Sequence, residues 1–562
     1  MLRRRQLRKN LPIKGSSAHC VALCILLSAV FASAQDLRFE IRFPASARPQ
    51  PITGRVYVVI SRDESTNLLP QIGSWEQETP FFGTDVTDLA PGTAAIISAR
   101  TLGYPLKSLR EIPAGDYYVQ ALVNVYTEFK RSDGHTIWAH MDQWEGQQFN
   151  RSPGNLYSDV RKVHLDPAAG YNVQLEAKHV FAPIEVPTDT QWVKHIKFQS
   201  KLLSKFWGQP IYLGATVLLP KDYDNHPEAR YPVIYEQSHF GLRPPMSMRM
   251  EPPASGRDAE GFGYPAFKAW SGDNFPRMIA VTFQHPTPFF DDSYAVNSAN
   301  NGPYGDAIMQ ELIPYIEEHF RIIRQSWARV LTGGSTGGWE SLALELYHPD
   351  FFGGTYTGFP DPIDFRHYQL IDIYKDPSAF EVPGYEWVPR ERPLMRTTEG
   401  QVVETIRQMS QLEEVLGSHG RSGQQLEAWE AVYGPVGADG YPEPLWDKRT
   451  GVINRKVADY MRDHGYDLRE YAEKNWPKIG PLLTDNVYIW VGDMDNFYLN
   501  LAVYDMQEFF DKHPEAKAHF EYGRPEKGHG WYPWGVDVLI KMMADHVAAH
   551  APAGTDLREW HY

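Results

Sequence analysis

Cysteine is almost missing from this sequence. Two occur in 562 residues, Cys20 and Cys24, both inside an N-terminal stretch that reads as a removable leader. The mature chain is therefore expected to have no disulfide, no thiol nucleophile and no Cys-based metal site. Long apolar runs are lacking too. "VALCILLSAVF" is too short to span a bilayer. It follows the basic "MLRRRQLRKN" and precedes "ASAQ", the order of n-region, h-region and Ala-x-Ala site that marks an export signal, here cut after Ala34. The residues before Cys20 ("SAH") and Cys24 ("VAL") do not form a lipoprotein box, so no lipid anchor is expected. Positive charge is scarce as well. The formal net charge is −15, and the leader takes six basic and no acidic residues with it, leaving −21. So acidic a surface excludes nucleic acid and anionic membrane as natural partners.

With 42% hydrophobic and 13% aromatic residues, the chain has the means to bury a core, and its length implies more than one domain. After the leader, "LRFEIRF" alternates apolar and charged residues with the period of a half-buried strand. "RVYVVIS", "GDYYVQALVNVYTEF" and "YNVQLEAKHV" continue the pattern between Pro, Gly and Asp punctuation. An all-β sandwich is expected over 35–185. The proline-bearing "FAPIEVPTDT" (181–190) reads as a linker. Beyond it, over 186–562, short apolar strands alternate with helices such as "YGDAIMQELIPYIEEHF" and "VDVLIKMMADHVAAH", while "QVVETIRQMSQLEEVL" is a helical piece of the stretch between them. That beat implies an α/β fold on a mostly parallel sheet. It is lost between Phe359 and Asn486, a stretch far too long for a connection.

Between the apolar "ARVL" and the helical "WESLALELYH" lies "TGGSTGG". Gly333-Gly334-Ser335-Thr336-Gly337 fits G-x-S-x-G at a strand-to-helix turn, where small neighbours let a serine hydroxyl stand exposed above a sheet. A serine is a poor nucleophile until a histidine accepts its proton, and the chain order in such folds is Ser, acid, His. Of the late histidines, His513 ends a helix, His519 lies in a strand, His546 and His550 ride the last helix and His561 is in the tail. His529, in "KGHGWYPW", stands in a loop after a late strand. The acid is sought in "VGDMDNF", which offers Asp493 and Asp495. Asp495 is favoured, since the first residue of a turn more often bonds its own backbone.

At these residues the sequence resembles the putative-esterase family of α/β-hydrolases, which includes S-formylglutathione hydrolase, feruloyl and acetylxylan esterases, siderophore esterases and mycolyltransferases. The resemblance covers about 190–562. It implies an α/β-hydrolase fold with Ser335, Asp495 and His529 as the catalytic residues, and with no metal or organic cofactor. It also implies an oxyanion hole from the Thr336 amide and an amide of the loop after "YPVIYEQ", where Phe240 intrudes between His239 and Gly241. Two parts are additions: the N-terminal β domain, and the segment 360–485, expected to form a cap over Ser335 with Tyr368, Tyr374, Tyr385, Trp387, Trp429 and Tyr433 as apolar walls.

The function expected is an exported serine esterase, periplasmic or secreted. Its substrate is a small-molecule or carbohydrate-linked ester, for which the 16 Trp and 31 Tyr suit sugar rings or aromatic acyl groups. Three alternatives share parts of the signal. A prolyl-oligopeptidase-type peptidase uses the same residue order, an acyltransferase differs in excluding water, and a carbohydrate-binding protein would use "IWAHMDQWEGQQF", with Trp138, Trp144 and Phe149, as a stacking platform. The leader gives the first test. N-terminal sequencing of exported protein is expected to begin near Gln35, and recovery of Cys20 or Cys24 in the mature chain would contradict that reading.

Overall fold

The computed structural model describes residues 36–557 apart from 75–78, 383 and 385–389. The expected leader, Tyr385, Trp387 and His561 lie outside the described residues. The alternation in "LRFEIRF" produces the strand Leu37–Arg42, which lies between Ala95–Ser98, antiparallel, and Tyr171–Glu176, parallel. An eight-stranded sheet built around Ile52–Ser61 and the long Gly115–Lys130 packs on this three-stranded one. Phe39 and Ile41 of the first sheet share a core with Val56, Val58 and Val119 of the second. Burial of one face of each sheet is what the period-2 pattern encodes. Residues 181–190 then run as extended chain without regular structure.

The second sheet region comprises β1 (Val193–Ser200), β2 (Ile211–Leu218), β3 (Val233–Gln237), β4 (Ile279–Gln284), β5 (Arg329–Gly334), β6 (Thr355–Gly358), β7 (Val487–Gly492) and β8 (His519–Gly523). Their order is β1-β2-β4-β3-β5-β6-β7-β8. β2 is antiparallel to both neighbours and all later pairs are parallel. This is the α/β-hydrolase fold. Its middle strands are covered on both faces and read as unbroken apolar runs, as in the fully buried "IAVTFQ" of β4. A helix α1 (Thr336–Tyr347) leaves β5 and is almost wholly buried. The expected helix from Tyr304 to His319 forms with a π-helical stretch, Ile308–Leu312, next to Pro314, whose missing N–H breaks the regular ladder.

The insertion between β6 and β7 holds a hairpin, Pro393–Arg396 with Val402–Thr405, and helices α2 (Ile406–Leu416), α3 (Gln425–Tyr433), α4 (Arg455–Asp463) and α5 (Leu468–Ile479). One expectation changes here. "QVVETIRQMSQLEEVL" is not one helix: "VVET" pairs in the hairpin and the helix starts at Ile406. The reason is local. Thr405 Oγ1 accepts the Gln408 amide at 3.2 Å while Gln408 Oε1 accepts the Thr405 amide at 2.9 Å, a capping box that fixes the first helical residue.

By its contacts, Asp36–Tyr562 is one compact unit. The sandwich closes the end of the insertion's first helix. At the C-terminus of α2, where backbone carbonyls have no helical partner, Arg55 donates from Nε and Nη2 to Val415 O at 3.0 and 2.7 Å, and Tyr57 OH donates to Leu416 O. Arg55 is 5% exposed and its Nη1 reaches Asp85 Oδ1 at 2.6 Å. A cation at this end of a helix also meets the negative pole of its dipole. Arg55→Ala is expected to destabilise the protein by ~2–3 kcal/mol, since it strands buried carbonyls. Thermal denaturation would show a lower midpoint, and an unchanged midpoint would contradict this buttressing role.

Candidate active site

Ser335 stands between β5 and α1 at φ 59°, ψ −122°, a left-handed conformation that a serine adopts only where its surroundings enforce it. Two hydrogen bonds do so. The Ser335 amide donates to Gly358 O, and Ser335 O accepts from the Asp361 amide, both at 3.1 Å. The glycines are there for closeness. A Cβ on Gly337 would sit 2.0 Å from Gln237 O, so only glycine lets the start of α1 lie against the end of β3. The turn leaves Thr336 in the first turn of the helix, where amides have no helical partner and the dipole favours negative charge.

His529 Nε2 lies 3.1 Å from Ser335 Oγ, and His529 Nδ1 lies 2.8 Å from Asp495 Oδ2. Asp495 is fully buried, and its Oδ1 accepts the amides of Phe497 and Leu499 at 2.9 and 3.3 Å. The imidazole is held between Phe359 and Phe497, both edge-on, at centroid distances of 4.8 and 5.0 Å. The three residues singled out from the sequence thus form one hydrogen-bonded relay. Asp493 faces elsewhere, accepting from Tyr504 OH at 2.9 Å and Arg524 Nε at 2.8 Å. Gly528 serves contact, because a Cβ there would meet Asn496 Oδ1 at 2.6 Å. Asn496 ties three parts together: its Oδ1 accepts the His529 amide at 2.8 Å, its Nδ2 donates to Arg396 O at 2.7 Å, and its carbonyl accepts the Arg396 amide at 2.9 Å.

A cavity of ≈ 200 Å³ opens on Ser335. Its apolar walls include Leu394, Met409 and Trp429 from the insertion and Phe497 from the acid loop; its polar groups include Asp361, Gln369 and Gln425. The insertion therefore roofs the serine, as a cap does. Of its aromatics, Trp429 reaches the cavity. Tyr368 packs edge-on against Trp429 at 4.9 Å, Tyr433 lies tilted against Trp339 at 5.1 Å, and Tyr374 OH donates to Asp467 at 2.8 Å. The loop after β3 contributes His239 to the cavity wall. Phe240 turns the other way and packs edge-on against Trp144 at 5.2 Å. Trp144 is 4% exposed, Trp138 N donates to Tyr441 OH and Phe149 stacks on Tyr57, so this cluster is packed structure rather than an open platform.

Sequence reasoning missed the charged groups around the serine. Asp361, fully buried to within 4%, places Oδ1 at 3.4 Å from Ser335 Oγ. Its Oδ2 accepts from Tyr294 OH at 2.6 Å, Thr336 Oγ1 at 3.0 Å, Gln425 Nε2 at 3.1 Å and Trp429 Nε1 at 3.3 Å. Burial raises its carboxyl above the ordinary range, while the Tyr294 and Thr336 hydroxyls pull it down. His239 Nδ1 sits 3.0 Å from Asp291 Oδ1 and 3.2 Å from Asp292 Oδ2. Burial favours its neutral form, but the two carboxylates outweigh it and hold the imidazole charged well above its usual range. These three residues gather ligand atoms within 4.8 Å, the spacing of a cation site, and the imidazolium itself supplies the positive charge there. Behind them, Glu340 of α1 is fully buried, and burial pushes its carboxyl well above the usual range. Its neighbour His285, 3.9 Å away, is pushed down to about 4 by burial. None of these groups carries a sequence signature, because each is defined by a neighbour far along the chain. "FPDP" at 359–362 reads only as a turn.

Residues 212–362 match the family described as putative esterase. The match runs from β2 to just past β6 and carries Ser335, Thr336, Phe240 and Asp361, but neither Asp495 nor His529. No curated protein matches the sequence. Similar solved structures include a ferulic acid esterase, at 14% identity over 64% of this chain and 98% of that one, with a TM-score of 0.35. They include also the S-formylglutathione hydrolase of Agrobacterium tumefaciens, at 13% over 65% and 97%, TM-score 0.33. A third is the ferulic acid esterase AmCE1/Fae1A of Anaeromyces mucronatus, at 14% over 66% and 97%, TM-score 0.31. At such scores these likenesses add nothing to what the strand order shows. The stretch 212–362, with the Ser335 turn near its C-terminal end, is thus the part of the chain that is similar to the putative-esterase family.

Proposed function

We propose that the protein is a serine esterase in which Ser335 is the nucleophile, His529 the general base and acid, and Asp495 the group that orients His529. The observation that carries this reading is the relay of 3.1 and 2.8 Å from Ser335 Oγ through His529 to Asp495. Neutral His529 Nε2 takes the Ser335 proton as Oγ attacks the acyl carbon. Asp495 accepts from Nδ1–H, which selects that tautomer and stabilises the imidazolium as it forms. The negative oxygen of the tetrahedral intermediate is held by the Thr336 amide and by a second amide in the turn after β3, assigned to Phe240. His529 then protonates the leaving alcohol, an acyl-enzyme remains, and water activated by the same histidine releases the acid.

The roofed cavity supports an ester with a compact acyl part rather than a peptidase or an open carbohydrate surface. The Trp and Tyr counts do not bear on substrate, because many of these rings, such as Trp207, Trp270, Trp446 and Trp490, lie in the core. A carbohydrate-linked or aromatic acyl ester is compatible with Trp429 and Phe497 as walls. We also propose that the enzyme works after export, in the periplasm or outside the cell, on the strength of its leader.

Ser335→Ala is expected to abolish ester hydrolysis while the protein stays folded. Asp495→Asn is expected to lower kcat by ~10⁴-fold through the wrong histidine tautomer. Asp493→Asn is expected to stay near the parent, since Asp493 faces Arg524 and Tyr504. Ester hydrolysis rates of the three variants check this. Retained activity in Ser335→Ala, or a larger loss from Asp493→Asn than from Asp495→Asn, would contradict the assignment.

A further inference from the structure

An acid 3.4 Å from a nucleophilic serine has no part in the relay through His529. Its two oxygens are used unequally. Oδ2 of Asp361 accepts from four side-chain donors, two of them, Gln425 and Trp429, from the cap helix α3. That many donors on one oxygen fixes the carboxyl plane and favours the carboxylate. Oδ1 faces Ser335 and the cavity with only a long contact to the serine hydroxyl. A second acceptor in the same cavity is unmatched. Gln369, 2% exposed, has its Oε1 buried without a hydrogen-bond partner. A buried acceptor without a donor costs stability, so a cavity that keeps one, beside an Oδ1 held only by a long contact to the serine, is shaped for something that brings donors.

Chemistry fixes where the nearer donor must be. Once the acyl carbon is bonded to Ser335 Oγ, the atoms three bonds from that oxygen are the substituents on the carbon next to the carbonyl. Those substituents fall within reach of a group that itself touches the serine oxygen. We propose that Asp361 is a specificity-determining residue whose Oδ1 accepts a hydrogen bond from a donor on the carbon adjacent to the reacting carbonyl, so that the preferred substrates are 2-hydroxy- or 2-aminoacyl esters. This rests on the reading of Ser335 as nucleophile. The cap contributes to this choice by clamping Oδ2, which leaves Oδ1 as the face shown to substrate. A plain acyl group would leave Oδ1 facing a donorless carbon and forgo that hydrogen bond.

The test compares the 4-nitrophenyl esters of propionate, 2-hydroxypropionate and 2-methoxypropionate. The methoxy ester has a similar inductive pull on the carbonyl but no proton to donate. The wild-type enzyme is expected to show a kcat/KM for the 2-hydroxy ester ~10–100-fold above the 2-methoxy ester, the range of one hydrogen bond to a charged group. Asp361→Asn is expected to bring that ratio near or below one, because its amide must turn its oxygen to the four donors and show N–H to the substrate. Equal rates for the two esters in the wild type, a comparison that needs no variant, would overturn the inference, as would a hydroxyl preference that survives in Asp361→Asn. If Ser335→Ala hydrolyses these esters as fast as the wild type, the reading of Ser335 itself falls and this inference with it.

Discussion

The peptide of Ser335 is gripped from both sides by the chain that leaves β6. Its N–H reaches Gly358 O and its carbonyl receives the Asp361 N–H. This pair of bonds holds the serine in its left-handed conformation, where the hydroxyl stands clear of the sheet, and much else follows from it. Because the same four residues open the insertion, the cap is tethered at Ser335 rather than merely draped over it. The Asp361 carboxyl is brought beside Ser335 Oγ by the backbone contact that strains the turn. Phe359, in the same grip, provides one of the two rings that hold His529. The Ser335 turn, the cap root and the imidazole wall are one piece of structure.

The cap in turn fixes the two loops that face the serine. Arg396 of its hairpin exchanges backbone and side-chain bonds with Asn496 and also donates from Nε to Asp495 O at 2.9 Å, while Asn496 receives the His529 amide. The relay from Asp495 to His529 is thus braced from outside the hydrolase core. The sandwich braces the cap at one further remove, through Arg55 and Tyr57 on the last carbonyls of α2. Arg421 adds to this by reaching Asp85 at 2.9 Å and Trp138 O at 2.7 Å. The N-terminal β region therefore has a mechanical role that needs no ligand of its own. Among the described residues no helix is long and apolar enough to cross a membrane.

How much of this the sequence shows depends on whether the determining contacts are local. That Ser335, Asp495 rather than Asp493, and His529 would come together was legible because strand ends, turn residues and chain order carry their positions, each a nearest-neighbour property. The same holds for the last helix, Val536–His550, which the apolar period delimits. The start of α2 was misjudged because a capping box can overrule a helical pattern by a few residues. β1 was not singled out because its burial is partial, with Lys194, Lys197 and Gln199 along it. The place of Asp361 and the charge on His239 were invisible, since they come from Tyr294, Gln425 and Trp429 for the one and Asp291 for the other, up to 68 positions away for Asp361 and Trp429. An acidic residue in a Pro-rich turn has no local mark that it will be buried against a serine.

The account turns on Ser335 being the atom that takes the acyl group. The most direct measurement is the mass of the protein after reaction with a fluorophosphonate, which traps an activated serine as a stable adduct, followed by peptide mapping. The account predicts one adduct per chain, on the peptide that contains Ser335, and no adduct when His529 is replaced by alanine. A protein that stays unlabelled, or labels at another residue, would contradict it.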